Sequence, residues 1–193
     1  MSIIKLIIGL GNPYKNFYHT RHNVGMWYLR ILADYFQLKL EKNKRFSGAL
    51  SSLIKNNHKI LFFQPKIFMN LSGSLILNIA SYYKIKLSEI LVIRDELDLL
   101  PGVLKIKYSS SHNGHNGIKS IISCFKKKSS FMQLCVGIGR PKSKNEITKF
   151  VLSAPTKIEK ILIIQIMMHF MKKNSNFIYN LDLFLNKKIS ITK

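Results

Sequence analysis

A chain of 193 residues with 31 Lys or Arg against 9 Asp or Glu carries a formal charge of +22, on a composition that is 47% apolar. The apolar share excludes a disordered polycation, and the length suits one domain with one substantial core. Cys124 and Cys135 are too few for a disulfide framework, and the longest apolar stretch, Ile161 to Met171, contains Gln165 and His169 and is about half a membrane span. A protein of a reducing compartment, the cytoplasm, is therefore expected, without a membrane partner.

The run Ile3 to Ile8 predicts a short buried strand ended by Gly9 and Gly11, and no basic segment of the kind that opens a secretory leader precedes it. Apolar positions at Trp27, Leu29, Ile31, Leu32, Tyr35 and Phe36 predict an amphipathic helix over 24–38. Residues 46–55 and 59–63 read as a strand pair across Asn56-Asn57, and 70–83 as a helix opening near Asn70 or Ser72. A strand over 90–94 delivers Asp95 at its end, and Pro101-Gly102 turns the chain into a strand over 103–108. A polar loop, 109–114, leads to a helix near 115–125, and 134–138 reads as the last strand. Lys126 to Lys128 form a basic connector. Thr156 and Glu159 make a capping box for a helix to about Met171, and a further helix is predicted over 176–185. Strands alternating with helices, with no repeat and no linker, predict one three-layer α/β domain over 1–193, a central sheet flanked by helices.

Such an excess of positive charge draws in polyanions, and nucleic acid is the common one. Only five of the basic residues are Arg, which favours attraction to a phosphate backbone over reading of base edges. Drift toward Lys, Ile and Asn in an AT-biased genome accounts for part of the same excess. Against it, three of the nine carboxylates fall within four residues, as Asp95, Glu96 and Asp98.

Gly9-Leu10-Gly11-Asn12-Pro13 follows a strand but lacks the third glycine of a dinucleotide loop, so nucleotide binding is not expected there. Four polar clusters instead follow strands or open helices: His19 to Asn23, Phe68 to Asn70, Asp95 to Asp98 and His112 to Gly117. In an open α/β sheet they share the crevice beyond the carboxyl ends of the strands. Histidine, carboxylate and amides without a paired Ser or Cys nucleophile point to water as the attacking species, with histidine as general base. A carboxylate on one imidazole nitrogen fixes the tautomer, so the other can accept a proton. Metal binding competes for the same residues, since His19-x-x-His22 and His112-x-x-His115 have ligand spacing with Asp95 and Asp98 to complete a set.

GLGNP, FYHTRHNVG, FMNLSG, DELDLLPG and GHNGIKSI, in this order, resemble the motifs of bacterial peptidyl-tRNA hydrolases, and GIGRP at 137–141 and FVLSAP at 150–155 extend the match. The resemblance implies a monomeric α/β fold with a mixed sheet and no cofactor or metal. It implies hydrolysis of the ester joining a peptide to the 3′ ribose of tRNA, so the partner is peptidyl-tRNA rather than DNA. Residue by residue, His22 matches the catalytic base, Asp95 its supporting carboxylate and Asn12 the residue that distinguishes blocked from free aminoacyl-tRNA. Asn70 and Asn116 match amides that hold the substrate, and Phe17 and Phe68 match positions lining the site of the tRNA end.

Departures from the family pattern are Tyr14 for a usual Gly, Phe17 for a usual Tyr, Arg94 for a neutral or acidic residue, and Ser109-Ser110-Ser111 for a glycine-rich stretch. Arg94, pointing inward, would weaken the pull of Asp95 on His22. Gln133 and Cys135 stand where the family often carries Arg for phosphate, which leaves Lys105 and Lys107 as candidates for that contact. An RNA-binding protein on the same fold without hydrolysis is the alternative, and it has no need of His22, Asp95, Asn12, Asn70 and Asn116 together.

Overall fold

The computed structural model describes residues 3–55, 57–125 and 130–190. In chain order the elements are β1 (Leu6–Gly9), α1 (Val24–Tyr35), β2 (Glu41–Asn43), β3 (Gly48–Lys55), β4 (His58–Pro65), α2 (Ser72–Tyr82), β5 (Ile90–Glu96) and β6 (Val103–Ser109). They continue with α3 (Asn116–Cys124), β7 (Phe131–Gly137), α4 (Ile147–Val151), α5 (Lys157–Lys173) and β8 (Lys188–Ser190). The strands form one sheet in the order β2-β3-β4-β1-β5-β7-β6-β8.

The four central strands, β4, β1, β5 and β7, run parallel, and the flanks are antiparallel. Parallel strands covered on both faces need apolar side chains at successive positions, and LIIG and ILVI supply them. Alternation along β1 sends Ile7 into one core with Phe62, Ile93, Tyr28 and Leu32, together with Ile163, Ile166 and Phe170. Ile8 joins the other with Phe63 and Val92, under Ile76 and Ile79 of α2 and Ile118 and Ile121 of α3. Helix α1, α5 and the segment after α5 thus cover one face, and α2 with α3 the other, which gives the three layers expected. No helix among the described residues is long and apolar enough to cross a membrane.

Two glycines set the closeness of the layers. A Cβ on Gly25 would stand 2.4 Å from the Ile93 carbonyl oxygen and 2.6 Å from that of Leu10, so α1 begins in direct backbone contact with β1 and β5. A Cβ on Gly73 would stand 2.0 Å from the Ser120 carbonyl oxygen, which holds α2 against α3.

The structure corrects three expectations. Residues 176–185 form two 3₁₀ turns rather than a helix, because Asn174, Asn176 and Asn180 punctuate the segment and Phe177, Ile178 and Leu181 pin it to the core. The strand at β7 is not the last, since β8 pairs with β6. Strand β2 and helix α4 were not expected: β2 is the polar sequence EKN, ordered by pairing with β3 rather than by any apolar pattern. The basic connector at Lys126 to Lys128 lies outside the described residues.

Candidate active site

The carboxyl ends of β1, β4 and β5 meet at one end of the sheet, where the segments leaving β1 and β4 carry Asn12 and Asn70 and the last residues of β5 include Asp95. His22 sits in a buried 3₁₀ turn, Arg21–Asn23, directly before α1. With α1 seated by Gly25 against the ends of β1 and β5, that turn reaches the Asp95 carboxylate. His22 Nδ1 lies 2.9 Å from Asp95 Oδ1 and 3.0 Å from Oδ2, so it donates there and Nε2 is the nitrogen left to accept a proton.

A second histidine shares the carboxylate. His115 caps α3, its Nδ1 accepting from the backbone N–H groups of Gly117 (3.1 Å) and Ile118 (3.3 Å). Two donors at Nδ1 leave Nε2 carrying the proton, which it gives to Asp95 Oδ1 at 2.9 Å. His22, Asp95 and His115 bring ligand-type atoms within 4.8 Å of one another. The tautomer of His115 nevertheless turns a proton, not a lone pair, toward Asp95, and the 2.9 Å contacts of both histidines with that carboxylate are hydrogen bonds. The pairs spaced for metal in the sequence do not assemble: His19 and His112 are exposed, and Asp98 is held at the surface by Arg140.

Burial alone would depress the His22 imidazolium, but the charge of Asp95 and its hydrogen bond outweigh it and raise the pKa above the ordinary value. For His115 burial prevails over the same carboxylate, helped by the nearby positive charges of His22 and Arg94, and the pKa is lowered. Burial would raise the pKa of Asp95, yet the two histidines hold it far below the usual carboxylate range. The trio is therefore a fixed anion, a neutral positioning imidazole and one imidazole poised to take a proton.

Amides complete the cleft. The Asn12 backbone N–H donates to Asn23 Oδ1 (2.8 Å), and Asn23 Nδ2 donates to the Asn12 carbonyl (3.0 Å). The Met69 N–H donates to Asn12 Oδ1 (2.9 Å), which identifies the oxygen of that carboxamide and leaves its NH₂ as the donor on the cavity wall. The cavity, about 320 Å³, is lined by Asn12, His22, Asn70, Asp95, His115 and Asn116 on one side and by Ile147, Thr148, Val151 and Leu152 of the α4 segment on the other. Arg21 ties the two sides together. It donates to Ser153 Oγ, the Ala154 carbonyl and Glu159 Oε2, each at 2.8 Å, with its guanidinium 4.2 Å from the Phe150 ring centre.

The five residues expected at the centre, His22, Asp95, Asn12, Asn70 and Asn116, thus share one cavity. Phe17 and Phe68 are not on its wall: Phe17 is half-buried in a neighbouring turn, and Phe68 is 43% exposed with its ring 5.2 Å from that of Tyr14. Arg94 is buried, and its charge is met by Glu96 (Nη2 to Oε2, 2.7 Å), with further bonds to Gln133 Oε1 and the Asp95 carbonyl. With that charge beside Asp95, the pKa of His22 is still raised. Gln133 and Cys135 are interior side chains of β7 and face no solvent. Lys107 leans on Glu96 at 3.6 Å, whereas Lys105 is half-buried opposite Lys188 on the edge strand. Sequence reading missed the roles of His115, Asn23 and Arg21. The available signal was a His followed by Asn-Gly at a helix start, the place of a capping residue.

Fold and site together define an α/β protein with a buried histidine–carboxylate centre in an amide-lined cleft. The sequence model described as peptidyl-tRNA hydrolase matches residues 6–189. The chain belongs to the peptidyl-tRNA hydrolase family. It is 50% identical over 189 residues to the peptidyl-tRNA hydrolase of Buchnera aphidicola subsp. Cinara cedri, covering 98% of each chain. It is 47% identical over 156 residues to that of Pasteurella multocida, covering 81% of this chain and 80% of the other. The crystal structure of peptidyl-tRNA hydrolase from Acinetobacter baumannii superposes with a TM-score of 0.87 at 33% identity, over 95% of this chain and 92% of the other.

Proposed function

We propose that the chain hydrolyses the ester between a peptide, or an N-blocked aminoacyl group, and the 3′ ribose of tRNA, using water activated by His22. Water attacks the ester carbonyl while His22 Nε2 takes its proton. The carbonyl oxygen becomes an oxyanion, which amide donors among Asn12, Asn70 and Asn116 stabilise. Collapse expels the ribose 3′ oxygen, which recovers the proton from His22. Asp95 keeps Nδ1–H of His22 donating and balances the imidazolium, and His115 fixes Asp95. The observation that carries this reading is the Asp95 carboxylate, 2.9 Å from both histidines and hydrogen-bonded so that one ring nitrogen remains for base chemistry.

Phe68 with Tyr14 and Phe17 would receive the terminal nucleotide at the cavity mouth, and Lys105 and Lys107 its phosphates. The proposal takes the domain 1–193 to act as a monomer in the cytoplasm, with tRNA as partner.

The test is release of an N-acetylated amino acid from its tRNA, with excess EDTA and with His22→Ala in parallel. Cleavage that survives EDTA and collapses in the variant supports the reading. Tight tRNA binding by folded protein without any cleavage would replace it with the RNA-binding alternative.

A further inference from the structure

A basic recess lies away from the cleft, between α1 and the strands β2, β3 and β4 at one edge of the sheet. It is lined by Arg30, Asp34, Lys39, Lys42, Gln64 and Lys66 and has a volume of about 790 Å³. Four cations face one carboxylate. Among the described residues none of the four is in an ion pair, whereas Arg21, Arg94 and Arg140 all are.

The recess is built rather than incidental. Register places Lys42, Ala49 and Gln64 opposite one another across β2, β3 and β4, hence on one face of the sheet. The Gln64 side chain, buried at the end of β4, accepts from Arg30 Nε at 3.0 Å. That bond and the Tyr18 ring, its centre 5.9 Å from the guanidinium carbon, hold the group in place and leave its terminal nitrogens without a hydrogen-bond partner among the described residues. The small side chain of Ala49 leaves the floor open between the flanking cations. Lys66, exposed, follows the carboxyl end of β4 and stands four residues before Asn70 of the catalytic cleft.

We propose that this recess is a subsite for the phosphodiester backbone of the tRNA substrate, outside the cleft that holds the ester. Fixed Arg and mobile Lys around an open trough fit successive phosphates, and nothing in it reads bases. The inference takes the substrate from the proposed function. It adds that the RNA body contacts the β2–β3 edge as well as the cleft.

The experiment compares Lys42→Gln/Lys66→Gln with a charge-matched control, Lys172→Gln/Lys187→Gln, at exposed sites elsewhere. Each is measured by KM and kcat on N-acetylaminoacyl-tRNA, by the same constants on a short CCA-ended oligonucleotide carrying the same ester, and by tRNA binding across salt. The recess variant is expected to raise KM for tRNA several-fold to about ten-fold and to flatten the log–log salt dependence by roughly one unit per lysine. Its kcat and its constants on the short substrate stay unchanged, and Lys42→Arg/Lys66→Arg restores KM. Equal effects in the control, or an unchanged salt slope, would overturn the proposal. Should the wild-type protein bind tRNA without cleaving it, the proposed function fails, and the salt slopes alone still decide the subsite.

Discussion

At His22 two opposing effects set the proton affinity. Burial disfavours the imidazolium, Asp95 at 2.9 Å favours it, and the carboxylate wins. A general base works only when deprotonated, so a raised pKa places the acid limb of the rate profile above the ordinary imidazole value of about 6.5, with activity rising as pH rises through it. Asp95→Asn removes the attraction and leaves the burial. Its acid limb should therefore move to lower pH while turnover falls by roughly 10²–10⁴ through loss of the productive tautomer. A kcat/KM profile of both proteins checks the sign, and an acid limb that stays in place would refute the assignment. His22→Ala should lower kcat by about 10²–10⁴ with little change in tRNA affinity, read by single-turnover cleavage and filter binding.

The geometry of that pair depends on where α1 starts, and Gly25 decides it. Gly25→Ala would force a Cβ against the carbonyls of Ile93 and Leu10, so α1 must lift. Overpacking of this kind costs about 1–3 kcal/mol, and the displaced turn should also take His22 away from Asp95. Urea unfolding and kcat should fall together, whereas a change in stability alone would show that the turn holds its own position. At the other side, His115 does two jobs at one helix end. Losing it as a cap, in His115→Ala, should cost about 0.5–2 kcal/mol, and Asp95 would lose one of its donors. Arg21 links the His22 turn to the α4–α5 segment through its side-chain bonds to Ser153, Ala154 and Glu159 and its backbone N–H to the Ser153 carbonyl.

Across the whole molecule the net charge of +22 makes substrate capture electrostatic, while the centre itself contains a carboxylate kept ionised by two histidines. Added salt should therefore raise KM for tRNA steeply and leave kcat nearly flat, because screening acts on exposed charge and hardly on the buried trio. Equal salt sensitivity in both constants would mean that the centre is open to solvent. EDTA should change neither constant, since His115 turns a proton toward Asp95.

The sequence alone determined the α/β alternation, the central strands and the capping box at Thr156, because these rest on local periodicity and local hydrogen bonding. Ordered motifs likewise brought His22, Asp95, Asn12, Asn70 and Asn116 to attention as members of one cleft. Elements without a pattern of their own were not legible: β2 is ordered by its neighbour, and residues 177–184 by three buried side chains. His115 could be read as one of a histidine pair with His112, but its real partner is a carboxylate twenty positions away in the chain. The same holds for Arg94, whose charge reads as a threat to Asp95 until Glu96 and Gln133 are seen around it. Periodicity and capping are encoded within a few residues, whereas protonation states and charge pairing depend on distances between strands, and only the tertiary structure sets those.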